Sequence, residues 1–419
     1  MDNVYDIRRE RQLQFICSAE HTGYVPTQGL LRSCVVVVNL YYAEQVGWYC
    51  RYLNKIPDGI DLYIFSSEEE TLGQAGRYCK HKNTFYIKKE NRGRDLSAFL
   101  VAFRPYMDRY SFICFLHDKK ERAPWMKKDT DKWRENLWGN MAATGDYIYN
   151  ILQLFEDHPK LGILFPPEPL GEGYLAWFQA SWGDNFQNCR DLAEKLQLSA
   201  DISRDKPVIS HGSVFWTRWE ALEKLLAFPW DYGDFPDEPM PPDFTVSHAV
   251  ERIFGFAAQD AGYDAGTVMT EQYASWSLLF AQGYFKEMFS ELSRRMGIEN
   301  LLQFRALSME KARILNYVRA HGSVYLYGAG KCGNMLVRML REEGMEPDGF
   351  AVSDKEGSAN LIEGLPVYGL GEIGEQKALE GANGRNIGII LTVYFPLQAE
   401  MIRNLEENGL HDFLVLFEE

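Results

Sequence analysis

His117-Asp118-Lys119-Lys120 follows the apolar run Ser111 to Leu116, so it falls where a strand would end. Two lysines there can neutralise a diphosphate directly, and Asp118 could hold a divalent cation, Mg2+ or Mn2+, against one. Either device puts positive charge where a leaving nucleoside diphosphate develops negative charge. A solvated charged turn is the plain alternative, because the run continues as Lys-Lys-Glu-Arg. Asn91-Arg92-Gly93-Arg94-Asp95 sits between a strand pattern and a helix pattern. Asn91 and Asp95 can hydrogen-bond a base or ribose, and Gly93 lets the backbone come close to a ligand. An ordinary helix cap with a turn glycine would look the same. Asp243, His248 and Glu251 fall in or beside one amphipathic segment, and residues three apart share a helix face. A carboxylate there could deprotonate an acceptor hydroxyl, with Asp243 the first choice and Glu251 the second. A capping Asp beside a His–Glu pair is the structural alternative. Gly328-Ala329-Gly330-Lys331-Cys332-Gly333 is a GxGxxG turn with Asp354 ending the next strand, the layout of a dinucleotide site. The segment is about half a full dinucleotide fold, so a nucleotide, a sugar nucleotide or an empty scaffold fits it equally well. No Ser-His-Asp elbow, HExxH or Walker loop occurs, which argues against a hydrolase or kinase of those classes.

These groups need elements to hold them. Strand patterns at Cys34–Leu40, Asp61–Phe65, Thr84–Ile87 and Ser111–Leu116 alternate with helical patterns. That order predicts a parallel sheet covered by helices on both faces. Ligands bind such sheets at the carboxyl ends of the strands. Asn39–Tyr42, Asn91–Asp95 and His117–Lys120 are therefore expected to converge on one pocket. Further on, Trp133–Leu154 reads as a helix and Leu161–Phe165 as a strand. Residues 166–210 read as an insertion or lid, Phe228–Pro242 as an acidic Pro-rich loop, and 243–261 as a helix capped by Asp243. Residues 275–320 read as a helical connector. Strands at Val324–Tyr327, Gly349–Val352, Ile387–Leu391 and Phe413–Leu416 form a second small doubly wound module. The expected division is an arm over 1–32, a main domain over 33–274, the connector, and a Rossmann-like domain over 321–419.

Composition narrows the class. The 419 residues carry 44 basic and 59 acidic side chains, a formal charge of −15, opposite in sign to a general nucleic-acid binder. The seven cysteines are widely spaced, with no CxxC, which argues against a disulfide framework and for a reducing compartment. The charged N-terminus lacks a signal peptide's apolar core, and no apolar run approaches the ~20 residues of a membrane helix. The reading is cytoplasmic, at most peripheral at the inner face of a membrane.

The first ~265 residues resemble the rhamnan synthesis protein F family of bacterial polysaccharide assembly. The resemblance rests on VVVVNLYYAEQVGWYCRYLNKIPDGIDLYIF (35–65), NRGRDLSAFL (91–100), YSFICFLHDKK (110–120), Trp133-Arg134, HPKLGILFPP (158–167), HGSVFWTRWEAL (211–222) and FTVSHAVERIFGFAAQDAGY (244–263). Asn39 stands where the family often has His, and Asp118 where Thr is usual. The resemblance implies a GT-A-like nucleotide-diphospho-sugar fold. It implies transfer of a sugar, with L-rhamnose from dTDP-β-L-rhamnose as first candidate, to a glycan or lipid-linked glycan. An α-linked product would mean inversion at the anomeric carbon. It places Asn91, Gly93 and Asp95 on the nucleoside, Lys119 and Lys120 on the diphosphate, and Gly212, Trp216 and Arg218 on the donor sugar or acceptor. Trp125, Trp177, Trp182 and Trp216 are candidate sugar platforms. The C-terminal segment lies outside that core and resembles small Rossmann-like modules of sugar-modifying proteins. A nicotinamide-dependent sugar-nucleotide enzyme and a non-catalytic binding subunit remain the rival expectations.

Overall fold

The computed structural model describes residues 12–121, 123–169, 182–204, 212–241, 243–296, 310–380, 386–393 and 395–416. The chain forms two compact units, 2–281 and 282–419, and the division falls inside the long helix Glu271–Met296.

The first unit is built on an eight-stranded sheet. In chain order its strands are β1 (Gln12–Cys17), β2 (Cys34–Asn39), β3 (Asp61–Ser66), β4 (Thr84–Lys88), β5 (Phe112–His117), β6 (Leu161–Phe165), β7 (Phe215–Arg218) and β8 (Asp264–Thr270). Their spatial order is β1-β8-β6-β7-β5-β2-β3-β4. All pairings are parallel except those of β7, which runs antiparallel to both β5 and β6. β2 shows why the centre folds as it does. Its CVVVVN run is buried at every position, as a parallel strand covered on both faces must be. Val35 and Val37 join one core layer, with Ile113, Phe99 and Phe215. Cys34, Val36 and Val38 join the other, with Tyr49, Trp138 and Trp216. This period-2 division fixes the register, since a one-residue slip would exchange the two layers.

Several local details depart from the sequence reading. Residues 12–17, inside the expected arm, are an edge strand paired along its length with β8. The single helix expected over Trp133–Leu154 is two, Lys127–Ala142 and Gly145–Asp157. Thr144 starts the second by accepting a hydrogen bond from the Tyr147 amide, so a polar cap interrupts an otherwise continuous apolar pattern. The helix expected from Asp243 begins at Val246. Its N-cap is Thr245, in a capping box with His248.

The second unit is a six-stranded sheet of β9 (Ser323–Tyr327), β10 (Gly349–Val352), β11 (Leu361–Ile362), β12 (Leu365–Gly369), β13 (Ile387–Leu391) and β14 (Phe413–Val415). Its order is β11-β12-β10-β9-β13-β14, parallel apart from the short β11. No described helix of the chain is long and apolar enough to cross a membrane.

Candidate functional site

In the first unit β5, β2, β3 and β4 lie side by side, so their carboxyl ends open on one side of the sheet. There a cavity of about 990 Å³ is lined by Asn39, Tyr41 and Tyr42 after β2, Ser67 after β3, Lys89, Asn91, Arg94 and Asp95 after β4, and His117 to Glu121 after β5. Met126, Trp133, Glu238 and Pro239 complete its wall. Three segments that the sequence predicted to converge are thus together.

Asn39 is 6% exposed, lines the cavity, and its Oδ1 has no hydrogen-bond partner among the described residues. A buried orphan acceptor costs about 1–3 kcal/mol, which a ligand donor would recover. Gly93 has φ +70°, and a Cβ there would lie 2.6 Å from Cγ of Phe235. This turn therefore requires glycine for its handedness and for its contact with the 228–242 loop. Asp95 Oδ2 lies 3.6 Å from His117 Nε2. His117 also faces two carbonyl oxygens, with Nδ1 2.9 Å from Asp118 O and Nε2 2.5 Å from Gly212 O. A neutral ring can donate to only one of them. Burial pushes the His117 pKa down and prevails over Asp95, which favours the second proton. Gly212 thus serves the site through its carbonyl, from a backbone at φ +123°.

Asp118 is buried, and one of its oxygens accepts from the amides of Tyr41 (2.6 Å) and Tyr42 (2.8 Å). Burial pushes its pKa up to about 7 against those two amides. It fastens the loop after β2 to the end of β5. Without a bound diphosphate, a metal held by side chains alone would need further carboxylate or imidazole ligands beside Asp118. Among the described residues no group of three or more His, Cys, Asp or Glu could hold one, and Asp95 is turned to His117. Side chains alone do not make a closed Mg2+ or Mn2+ site here; Asp118 would hold such a cation only together with diphosphate oxygens and water.

Lys119 Nζ rests 4.4 Å from the Trp133 ring centroid, and its amide donates to Tyr49 Oη. Lys120 Nζ pairs with Glu44 at 2.6 Å and lies over Tyr42. Two further cations, absent from the sequence expectation, complete the set. Lys89 is 7% exposed and donates to Glu90 O (2.8 Å) and Ser97 Oγ (3.0 Å). Burial pushes its pKa down to about 8. Arg94 is ion-paired to Glu238. Arg94 lay within a motif already singled out by its neighbours, whereas nothing in the sequence marked Lys89.

Other expected residues lie elsewhere. Asp243, His248 and Glu251 do not line the cavity. Asp243 accepts from Asn185 Nδ2 (2.6 Å) and the Phe244 amide. Burial raises its pKa, but these donors with His248 and Arg252 outweigh it and keep the carboxyl below its usual range. His248 Nδ1 is 2.7 Å from Thr245 Oγ1, and Glu251 pairs with Arg252. Trp216 is fully buried, and its Nε1 donates to Met141 O. Arg218 donates to the carbonyls of Leu161 and Phe155 and covers the Phe112 and Phe155 rings. Trp216 is part of the core, and Arg218 is half-buried beside Phe112 at the start of β5, the end away from the cavity, because β7 runs antiparallel. Trp182 is buried against Phe256, Trp125 is 76% exposed beside Met126, and Trp177 lies outside the described residues.

The model of the family described as Rhamnan synthesis protein F matches residues 1–263, more than half of the chain. The chain belongs to the rhamnan synthesis protein F family. All the cavity-lining residues fall inside the matched stretch. The chain is also 29% identical over 180 residues to "Uncharacterized protein WxcX" from two strains of Xanthomonas campestris pv. campestris. That match covers 43% of this chain and 24% of each relative, so the chain spans about a quarter of their length. Among solved structures, CMP:2-keto-3-deoxy-manno-octonic acid synthetase complexed with CTP is 8% identical with a TM-score of 0.27, over 59% of this chain and 99% of that one. This overlap carries no further argument.

In the second unit, Gly328 (φ +119°) ends β9, and the helix Lys331–Glu342 follows. A Cβ on Gly333 would sit 2.3 Å from Gly328 O, while one on Gly330 would meet nothing. These are the packing and open-approach positions of a GxGxxG turn. Asp354 is exposed and accepts from the Glu356 amide within its own turn.

Proposed function

We propose that this chain is an inverting glycosyltransferase of cell-surface polysaccharide assembly, taking a nucleoside-diphospho-sugar into the strand-end cavity. The observation that carries this reading is the gathering of Lys89, Arg94, Lys119 and Lys120 with the unpaired Oδ1 of Asn39 around one cavity of about 990 Å³. Asn91, Asp95 and Asn39 face the nucleoside. Lys119, Lys120 and Arg94 face the diphosphate. The acceptor oxygen attacks the anomeric carbon opposite the leaving group, and the cations stabilise the charge that develops on the diphosphate. Family membership supports a role in polysaccharide biosynthesis and makes dTDP-L-rhamnose the first donor to try, with a glycan or lipid-linked glycan as acceptor. The proposed working location is the cytoplasm, at most the inner face of a membrane. The Gly328–Gly333 turn is proposed as a nucleotide-binding turn of secondary importance.

The test is a thermal-shift panel with dTDP-rhamnose, dTDP, UDP- and GDP-sugars, NAD and NADP, each with and without Mg2+ or Mn2+. A ligand of the folded state at about 100 times its Kd adds about 2.7 kcal/mol of stability. The expected result is a shift with one class of nucleoside-diphospho-sugar. A shift with NAD or NADP alone would move the activity to the second unit and overturn this reading. Donor binding without any transfer would favour the non-catalytic subunit.

A further inference from the structure

Arg94 and Glu238 reach the cavity wall from segments 144 residues apart and meet as a fork. Arg94 Nε lies 3.1 Å from Glu238 Oε1, and Nη2 lies 3.4 Å from Oε2. Arg94 has φ +47° directly after Gly93 at φ +70°. A left-handed arginine is strained, and strain of this kind persists where the surroundings enforce it. Beside this pair runs a tether, in which Arg92 Nε donates to Phe235 O at 2.6 Å and Arg92 Nη1 pairs with Asp237 at 3.0 Å. Phe235 fills the space above Gly93. The loop carrying Glu238 is thus fixed independently of Arg94.

Four acids line the cavity, Asp95, Asp118, Glu121 and Glu238, and Glu238 is the one that shares a fork with a cavity cation; Asp95 is turned to His117, and Asp118 is held by two backbone amides. Glu238 is held by Arg94 and by the Met240 amide at 2.9 Å. Burial raises its pKa, but these donors outweigh burial and keep the carboxyl below its usual range, so it is ionised. Its partner Arg94 is 47% exposed and lines the cavity in which the diphosphate is placed. A guanidinium fork fits a phosphate as well as it fits a carboxylate, and a diphosphate carries more charge.

We propose that a donor diphosphate entering the cavity takes Arg94 from Glu238, and that the carboxylate so uncovered is the base that receives the acceptor's proton. This rests on the cavity being the donor site. In the step so gated, the acceptor hydroxyl gives its proton to Glu238 as its oxygen bonds to the anomeric carbon. The bond from that carbon to the diphosphate oxygen breaks. Its electron pair leaves with the diphosphate, whose charge Arg94, Lys119 and Lys120 hold.

The two halves of the ion pair then have opposite effects on binding, which a purely structural pair would not. In calorimetric titrations with dTDP, UDP, GDP and pyrophosphate, Glu238→Gln removes a competitor for Arg94. It is expected to bind the preferred nucleoside diphosphate about three- to five-fold more tightly, the range of an exposed ion pair. Arg94→Ala is expected to bind it at least ~10-fold more weakly. Turnover of the donor is expected to fall at least ~100-fold in Glu238→Gln and to recover partly in Glu238→Asp. Weaker or unchanged binding in Glu238→Gln, or undiminished turnover, would overturn the exchange. If the wild-type protein binds none of these ligands, the donor-site reading fails first, and that outcome is distinct from a wrong sign in the variant.

Discussion

The two units each carry a strand, a glycine turn and a helix at the carboxyl edge of a parallel sheet, yet they are furnished differently. Around Gly93 the described structure gathers a cavity lined by four cations, four acids and an orphan amide oxygen, and clamps a distant loop onto the turn. Around Gly330 there is open space, and the acid of the next strand end is folded into its own turn. The glycine spacing alone therefore marks a backbone shape. The chemistry comes from what neighbouring strands and remote loops bring to that shape.

Substitutions can break or sharpen this contrast. The largest effect is expected from Gly93→Ala, which drives a Cβ into Phe235 at a left-handed position. Overpacking and backbone strain together cost about 2–4 kcal/mol. The melting temperature of the first unit should fall by several degrees and nucleoside diphosphate binding should fall with it. Unchanged melting would show that the 228–242 loop is not clamped there. Next, Lys119→Ala should weaken nucleoside diphosphate binding about ten-fold or more and leave nucleoside binding unchanged, since charge-assisted bonds to phosphate contribute about 1.5–3 kcal/mol. Equal losses for both ligands would remove Lys119 from the diphosphate.

A smaller effect is a pH dependence. The Lys89 pKa is lowered on folding to about 8 by burial. Between that value and the ordinary lysine value the unfolded chain binds more protons, so this group makes stability rise with pH across that window. Lys89→Met should flatten that rise in denaturant titrations compared at pH 7 and pH 10; an unaltered slope would mean that the ammonium is not buried in solution. The smallest effect is expected from Gly330→Ala, within about 0.5 kcal/mol of wild type in melting and without change in donor binding, because nothing occupies the space its methyl would take. A large loss of transfer in that variant would erase the distinction between the two turns.

Much of this arrangement is legible in the sequence because periodicity reports burial. The β-branched run of β2 and the apolar run before His117 give the strands, and the rule that ligands gather at carboxyl ends places Asn39, Asn91, Asp95, His117, Lys119 and Lys120 together. What periodicity cannot report is pairing between distant segments. Glu238 sits in a loop with no period, and only its approach to Arg94 makes it notable. The family resemblance put Trp216 and Arg218 at the sugar, but the antiparallel course of β7 carries Arg218 to the start of β5, and Trp216 is buried against Met141. Asp243 was read as a cap and base. Thr245 took the cap because its hydroxyl and His248 satisfy the helix end together.

The edge pairing of Gln12–Cys17 with Asp264–Thr270 has a consequence for synthesis. Among the described residues, the first strand of the sheet is paired with its last, some 250 residues later. While those residues are made that edge must wait unpaired, the kind of long-range closure that slows folding and exposes strand edges to other chains. A nascent chain arrested before residue 264 would hold the cavity-forming strands but leave its opening strand for a chaperone, or a neighbouring chain, to cover.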